Sequence, residues 1–100
     1  MARETHLLVA YAAKGRTNCQ TFRLPPAATY LEYSVHVTTA RPPDRGEKST
    51  EGWRIDVSLV RLGPENRVRA VIVEASSKPA RPPAPDNFVG VEVAVVYEMP

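Results

Sequence analysis

One hundred residues, 43% hydrophobic and 24% charged, suffice for one globular domain spanning residues 1–100 and exclude a disordered chain. A formal charge of +2 without runs of like charge gives no argument for nucleic acid or an anionic membrane as partner. The one cysteine, Cys19, excludes an intrachain disulfide and a cysteine-based zinc site within one chain.

Cys19 itself reads as a small, half-buried strand residue. Met1-Ala2-Arg3-Glu4 carries no apolar run with a cleavage site, and no stretch approaches the roughly 18 apolar residues of a membrane span. A cytoplasmic protein without a membrane partner is expected.

Thr5 to Ala13 alternates, with Leu7, Val9 and Tyr11 on one face and Leu8, Ala10 and Ala12 on the other. A strand is favoured, although Thr5 as N-cap and Gly15 past the end also suit a short helix. Thr17 to Leu24 is a second strand, and Lys14-Gly15-Arg16 predicts a hairpin turn between the two. Pro25 and Pro26 stop the second strand, because neither can donate to a ladder.

Tyr30 to Thr39 alternates cleanly. Leu31, Tyr33, Val35 and Val37 share one face; Glu32, Ser34 and His36 share the other. Ala40 to Gly52 is a polar loop rich in proline and glycine. Trp53 to Ser76 then predicts a hairpin. In its first strand Trp53, Ile55, Val57 and Leu59 face inward, and Gly63-Pro64-Glu65-Asn66 supplies the turn. Pro64 pre-sets the second turn position and Asn66 tolerates the left-handed return.

The return strand is apolar on both faces, with Val68, Ala70 and Ile72 opposed to Val71, Val73 and Ala75. Ser77 to Asp86 is a second proline-rich connector, and its Pro79-x-x-Pro82 spacing reads as stiffness rather than as a docking motif. Asn87 to Met99 is the last strand. Val89, Val91, Val93, Val95 and Tyr97 form one face, the other is mixed, and Gly90 is a candidate bend. The repeated Ala-Arg-Pro-Pro at 40–43 and 80–83 reads as compositional bias.

The pattern predicts an all-β fold: a small antiparallel sandwich or barrel of about six strands. The two proline-rich loops would carry the chain from one sheet to the other in Greek-key fashion. Strands of about ten residues extend roughly 34 Å, long for a body whose radius of gyration should be about 13 Å. They must twist, bend at bulges or project beyond the core.

The sequence holds no glycine-rich phosphate loop, nucleophile elbow or HExxH motif. Glu32, Asp56, Glu74, Glu92 and Glu98 sit at alternating strand positions and read as solvated faces. His6 and His36 lie on different strands. Neither a catalytic site, a metal site nor a cofactor is expected. The arginines of the middle and late chain, with Tyr30 and Trp53 beside them, are interleaved with acids, which argues against nucleic acid.

What remains is a non-catalytic binding domain that self-associates as a homo-oligomer. The candidate surface is Val71, Val73, Ala94 and Val96, together with Arg41 and Arg81. The competing expectations are a barrel binding a small molecule or carbohydrate, with or without catalysis, between strands or subunits, and a subunit of a larger assembly.

Overall fold

Val91, Val93 and Val95 are fully buried, while Glu92, Ala94 and Val96, each following one of them, are only partly covered. That is the two-residue period of a strand with a core on one side. The computed structural model describes residues 2–13, 15–41, 53–77 and 88–100. Both proline-rich connections lie outside them, and with them Arg81 and the Pro79-x-x-Pro82 spacing.

The described residues form six strands: β1 (Ala2–Ala12), β2 (Thr17–Arg23), β3 (Thr29–Arg41), β4 (Trp53–Leu62), β5 (Arg67–Ser77) and β6 (Phe88–Met99). All pairings are antiparallel and build two sheets, β1-β6-β3 and β2-β5-β4. The two strands richest in valine and isoleucine, β5 and β6, take the middle positions. There they gain a neighbour on each edge and the opposite sheet on one face.

The sheets meet through Val71, Val73 and Ala75 of β5, Val89 to Val95 of β6, and Leu8, Ala10 and Ala12 of β1. At roughly 25 cal/mol for each Å² of apolar surface removed from water, each buried valine contributes about 1.5–3 kcal/mol. The fold is therefore all-β, as the alternation requires. Among the described residues no helix is long and apolar enough to cross a membrane.

β1 is a strand and not a helix, since it pairs with β6 over its whole length. The expected β1–β2 hairpin is not formed. The turn exists, with Gly15 at a φ of 68° and Arg16 N donating to Ala13 O at 2.8 Å. The chain uses it to pass into the other sheet, where β2 pairs with β5. Folded over in this way, the inward rows of β1 and β2 cover each other, which a flat hairpin could not do. Both proline-rich connections also join strands of different sheets, β3 to β4 and β5 to β6.

The β4–β5 hairpin follows its turn chemistry. Asn66 sits at a φ of 54° and donates its N–H to Gly63 O at 3.0 Å. Three register shifts interrupt the pairing: at Leu31 and Thr38 in β3 against β6, and at Arg69 in β5, opposite Val60 and Arg61 of β4. The second lies in β3 opposite Gly90, whereas β6 itself, where a bend was expected, runs past Gly90 in unbroken register with β1. The first corrects the phase of β3, because Leu31 drops out of the row formed by Tyr33, Val35 and Val37.

That row faces inward, opposite Val95, Val93 and Val91. It nevertheless stays 39–44% exposed. The sheets meet closely between β1 and β2 and between β5 and β6; on the other side the described residues of β3 reach β5 and those of β4 reach β6, so the β3 and β4 edges stand apart. The body is elongated, 53 × 25 × 17 Å with a radius of gyration of 16.2 Å, as long strands in a small domain demand.

Candidate functional site

The expected surface divides when placed on the fold. Val71 and Val73 are fully buried between the sheets and cannot meet a partner. The register explains it, because they lie opposite Phe22 and Gln20 on one side and Leu59 and Val57 on the other, all on the inner face. Ala94 and Val96 do face outward, on the far side of the β1-β6-β3 sheet, and are partly exposed. Arg41 ends β3, and its side chain, like those of Trp53 and Arg81, lies outside the described residues.

The outward face around Ala94 and Val96 is widened by β1. Leu7, Val9 and Tyr11 stand 56%, 57% and 50% exposed, with Leu7 opposite Ala94 and Thr5 opposite Val96. The strand buries its smaller row, Leu8, Ala10 and Ala12, and shows solvent its larger one. Alanines suit the tight corner where β1 turns over onto β2.

β1 is also a sheet edge. Asn18 Nδ2 donates to Tyr11 O at 2.9 Å, so that carbonyl points away from β6. Peptide groups alternate in direction along a strand, so those of Arg3, Thr5, Leu7 and Val9 also face the free edge. Of the four edge strands, β3 carries two extra residues, β4 pairs across a register shift and β2 has only seven residues. Among the described residues β1 alone is both long and without a register shift, and its second half, from Leu7 to Ala12, carries none of the charges that usually protect an edge.

The second surface is on the outer face of the β2-β5-β4 sheet. A basin of about 610 Å³ has Ala70 and Ile72 as floor, Val60 and Leu62 as one wall and Thr21 and Arg23 as the other. Leu24 and Arg69 close its end. Arg69 is the extra residue in β5 where the register shifts, since Val60 pairs with Ala70 and Arg61 with Val68. From there its guanidinium donates to three carbonyls of the β2–β3 connection: Pro25 at 2.7 Å, Ala28 at 3.0 Å and Leu24 at 3.2 Å.

No family model, curated protein or solved structure matches the chain.

The other candidate groups do not converge. His36 is exposed opposite Glu92, on the far face from His6. His6 stacks on Phe22 with ring centroids 4.0 Å apart, and Phe22 leans on Tyr97 at 5.6 Å. Tyr97 donates a hydrogen bond to the Glu4 carboxylate, which raises its pKa above the ordinary 10.0. Burial first, then the neighbouring Tyr33 and Glu32, raises that of Tyr30.

Asp56 faces Glu74 across strands, but its close partner is Arg54 along the same strand, at 2.8 Å. Cys19 is exposed rather than half-buried, because it lies opposite Glu74 on the outer face of β2. Among the described residues no three His, Cys, Asp or Glu side chains gather. The arginines are largely committed: Arg61 holds Asn66 O, Arg67 reaches Ala28 O and Thr29 Oγ1, and Arg69 clamps the crossing connection. Arg23 has no partner among the described residues.

Proposed function

We propose that this chain is a non-catalytic binding domain whose first partner is a second copy of itself, joined edge to edge through β1. The observation that carries the reading is a long edge strand with no register shift whose Leu7, Val9 and Tyr11 are half or more exposed. A regular strand whose peptide groups point outward from the sheet and whose face is apolar is a template for another strand, with Asn18 holding the Tyr11 carbonyl at its end.

Antiparallel pairing of two β1 strands about Leu7 is self-complementary. Leu7 meets Leu7 of the second copy, and Thr5 meets Val9 twice. Arg3 lands against the Tyr11 ring at either end, a cation–aromatic contact. The odd-numbered residues that pair in this register are those whose peptide groups face outward. The outcome is a continuous sheet of β3-β6-β1 followed by its two-fold copy, with Ala94 and Val96 flanking the seam. An exposed free thiol at Cys19 suits a reducing, cytoplasmic setting; recovery of the tagged chain from the extracellular fraction would contradict that address.

Sedimentation equilibrium tests the association. Twice the 11.0 kDa chain mass is expected at micromolar concentration. Val9→Lys, at a position 57% exposed, should give the single-chain mass with an unchanged circular dichroism spectrum. A wild-type mass of one chain rejects self-association, and a dimeric Val9→Lys protein rejects β1 as its seat.

A further inference from the structure

The basin on the outer face of the β2-β5-β4 sheet belongs to a different sheet from β1 and takes no part in the pairing just described. Its volume, about 610 Å³, lies within the roughly 300–1,000 Å³ of small-molecule sites. Its chemistry is one-sided. The floor and one wall are aliphatic, through Ala70, Ile72, Val60 and Leu62, whereas among the described residues Arg23 and Arg69 are the only ionisable groups lining it.

Among the described residues neither charge is neutralised by a carboxylate. Arg69 spends its donors on three neutral carbonyls, which fix its position and leave its positive charge uncompensated. Arg23 stands at the rim without a partner among the described residues, its five donors open to a ligand. A concave apolar surface with an unpaired guanidinium at its rim and a second cation held at its end matches one ligand chemistry.

We infer that the basin binds small amphipathic organic anions, an alkyl or aryl body lying on Ala70 and Ile72 with its carboxylate held by Arg23. Arg69 contributes the field, and Arg23 contributes the hydrogen bonds, in the planar fork that suits a carboxylate. Thr21, on the same wall as Arg23, offers a hydroxyl to the second carboxylate oxygen.

Titration of the full chain with decanoate, followed by calorimetry and by amide chemical shifts, tests this. Decyltrimethylammonium, with the same body and the opposite charge, is the control. Saturable binding of decanoate is expected, with shifts centred on Thr21, Arg23, Ala70 and Ile72, and the ammonium compound should bind at least about tenfold more weakly. Arg23→Gln should weaken decanoate by about tenfold, the scale of one lost charge-assisted hydrogen bond.

Leu62→Glu, at a position 60% exposed, puts a negative charge in the wall without disturbing the core and should abolish binding. If one variant proves misfolded by circular dichroism, the other decides. Equal binding of the two surfactants overturns the inference, as do full affinity in a folded Arg23→Gln or Leu62→Glu protein, shifts centred on Leu7, Val9 and Tyr11, and the absence of saturation.

Discussion

Arg69 shows how one residue can hold a crossover. The chain must travel from the edge of one sheet to the far edge of the other through Leu24–Ala28, where two prolines remove backbone donors and leave carbonyls to be satisfied. A register shift in β5 frees Arg69 to supply them. Arg69→Leu should therefore cost about 2 kcal/mol, the scale of charged hydrogen bonds to partly buried carbonyls. Arg67→Leu should cost less, since its bonds there are longer, at 3.2 and 3.4 Å. Urea midpoints of the two variants check the order.

Tyr97 gives a second prediction at this scale. Its hydrogen bond to Glu4 raises its pKa in the folded state, so above pH 10 the unfolded chain loses this proton first. The contribution is intact below that pH and is lost as pH rises through the folded value. Tyr30, raised by burial, acts in the same direction. Thermal midpoints should fall above pH 10, and less steeply in Tyr97→Phe; an equal slope in that variant would remove Tyr97 from the account.

At the scale of elements, β5 and β1 make opposite predictions from the same kind of residue. Val71 is fully buried, so Val71→Asp should unfold the domain, because a carboxylate there has no partner in an aliphatic core. Val9→Lys should leave it folded. Near-ultraviolet circular dichroism separates the two outcomes, and a folded Val71→Asp protein would show that the core assignment is wrong. The β4–β5 turn adds a conformational prediction: with Asn66 at a φ of 54°, Asn66→Val should destabilise by about 1–2 kcal/mol, while Asn66→Gly should be tolerated.

These elements also mark what the residue pattern can say. Strand identities, the β4–β5 turn and the buried row of β6 follow from a two-residue period and from turn chemistry, both local. Which of two apolar rows goes inside is not local. β5 carries valine on its buried row and isoleucine on the other, and β1 buries alanines while exposing Leu7, Val9 and Tyr11, because the opposite sheet decides the space available. The β1–β2 turn was legible, but its use as a corner depended on the distant strand each arm pairs with. The basin and the Arg69 clamp arise from a single extra residue in β5, whose position no alternation reveals until the partner strand is known.

At the scale of the molecule, shape and association are one problem. A sandwich only 25 Å wide and 17 Å thick but 53 Å long has a high proportion of surface, and its core is built largely of valine and alanine. Much of its larger apolar surface, Tyr33, Val35 and Val37 at one edge and Leu7, Val9 and Tyr11 at the other, remains half open. The proposed pairing through β1 would set the second group beside its own two-fold copy and join two narrow sheets into one broad one. Association of this kind contributes to stability by mass action, because only the folded chain presents the edge. The thermal midpoint should therefore rise with protein concentration, by a few degrees over a hundredfold range for a domain of about this size. Val9→Lys should melt at the same temperature at every concentration. Calorimetric scans of both proteins across that range decide the matter: a wild-type midpoint independent of concentration would mean that β1 remains an open edge in solution.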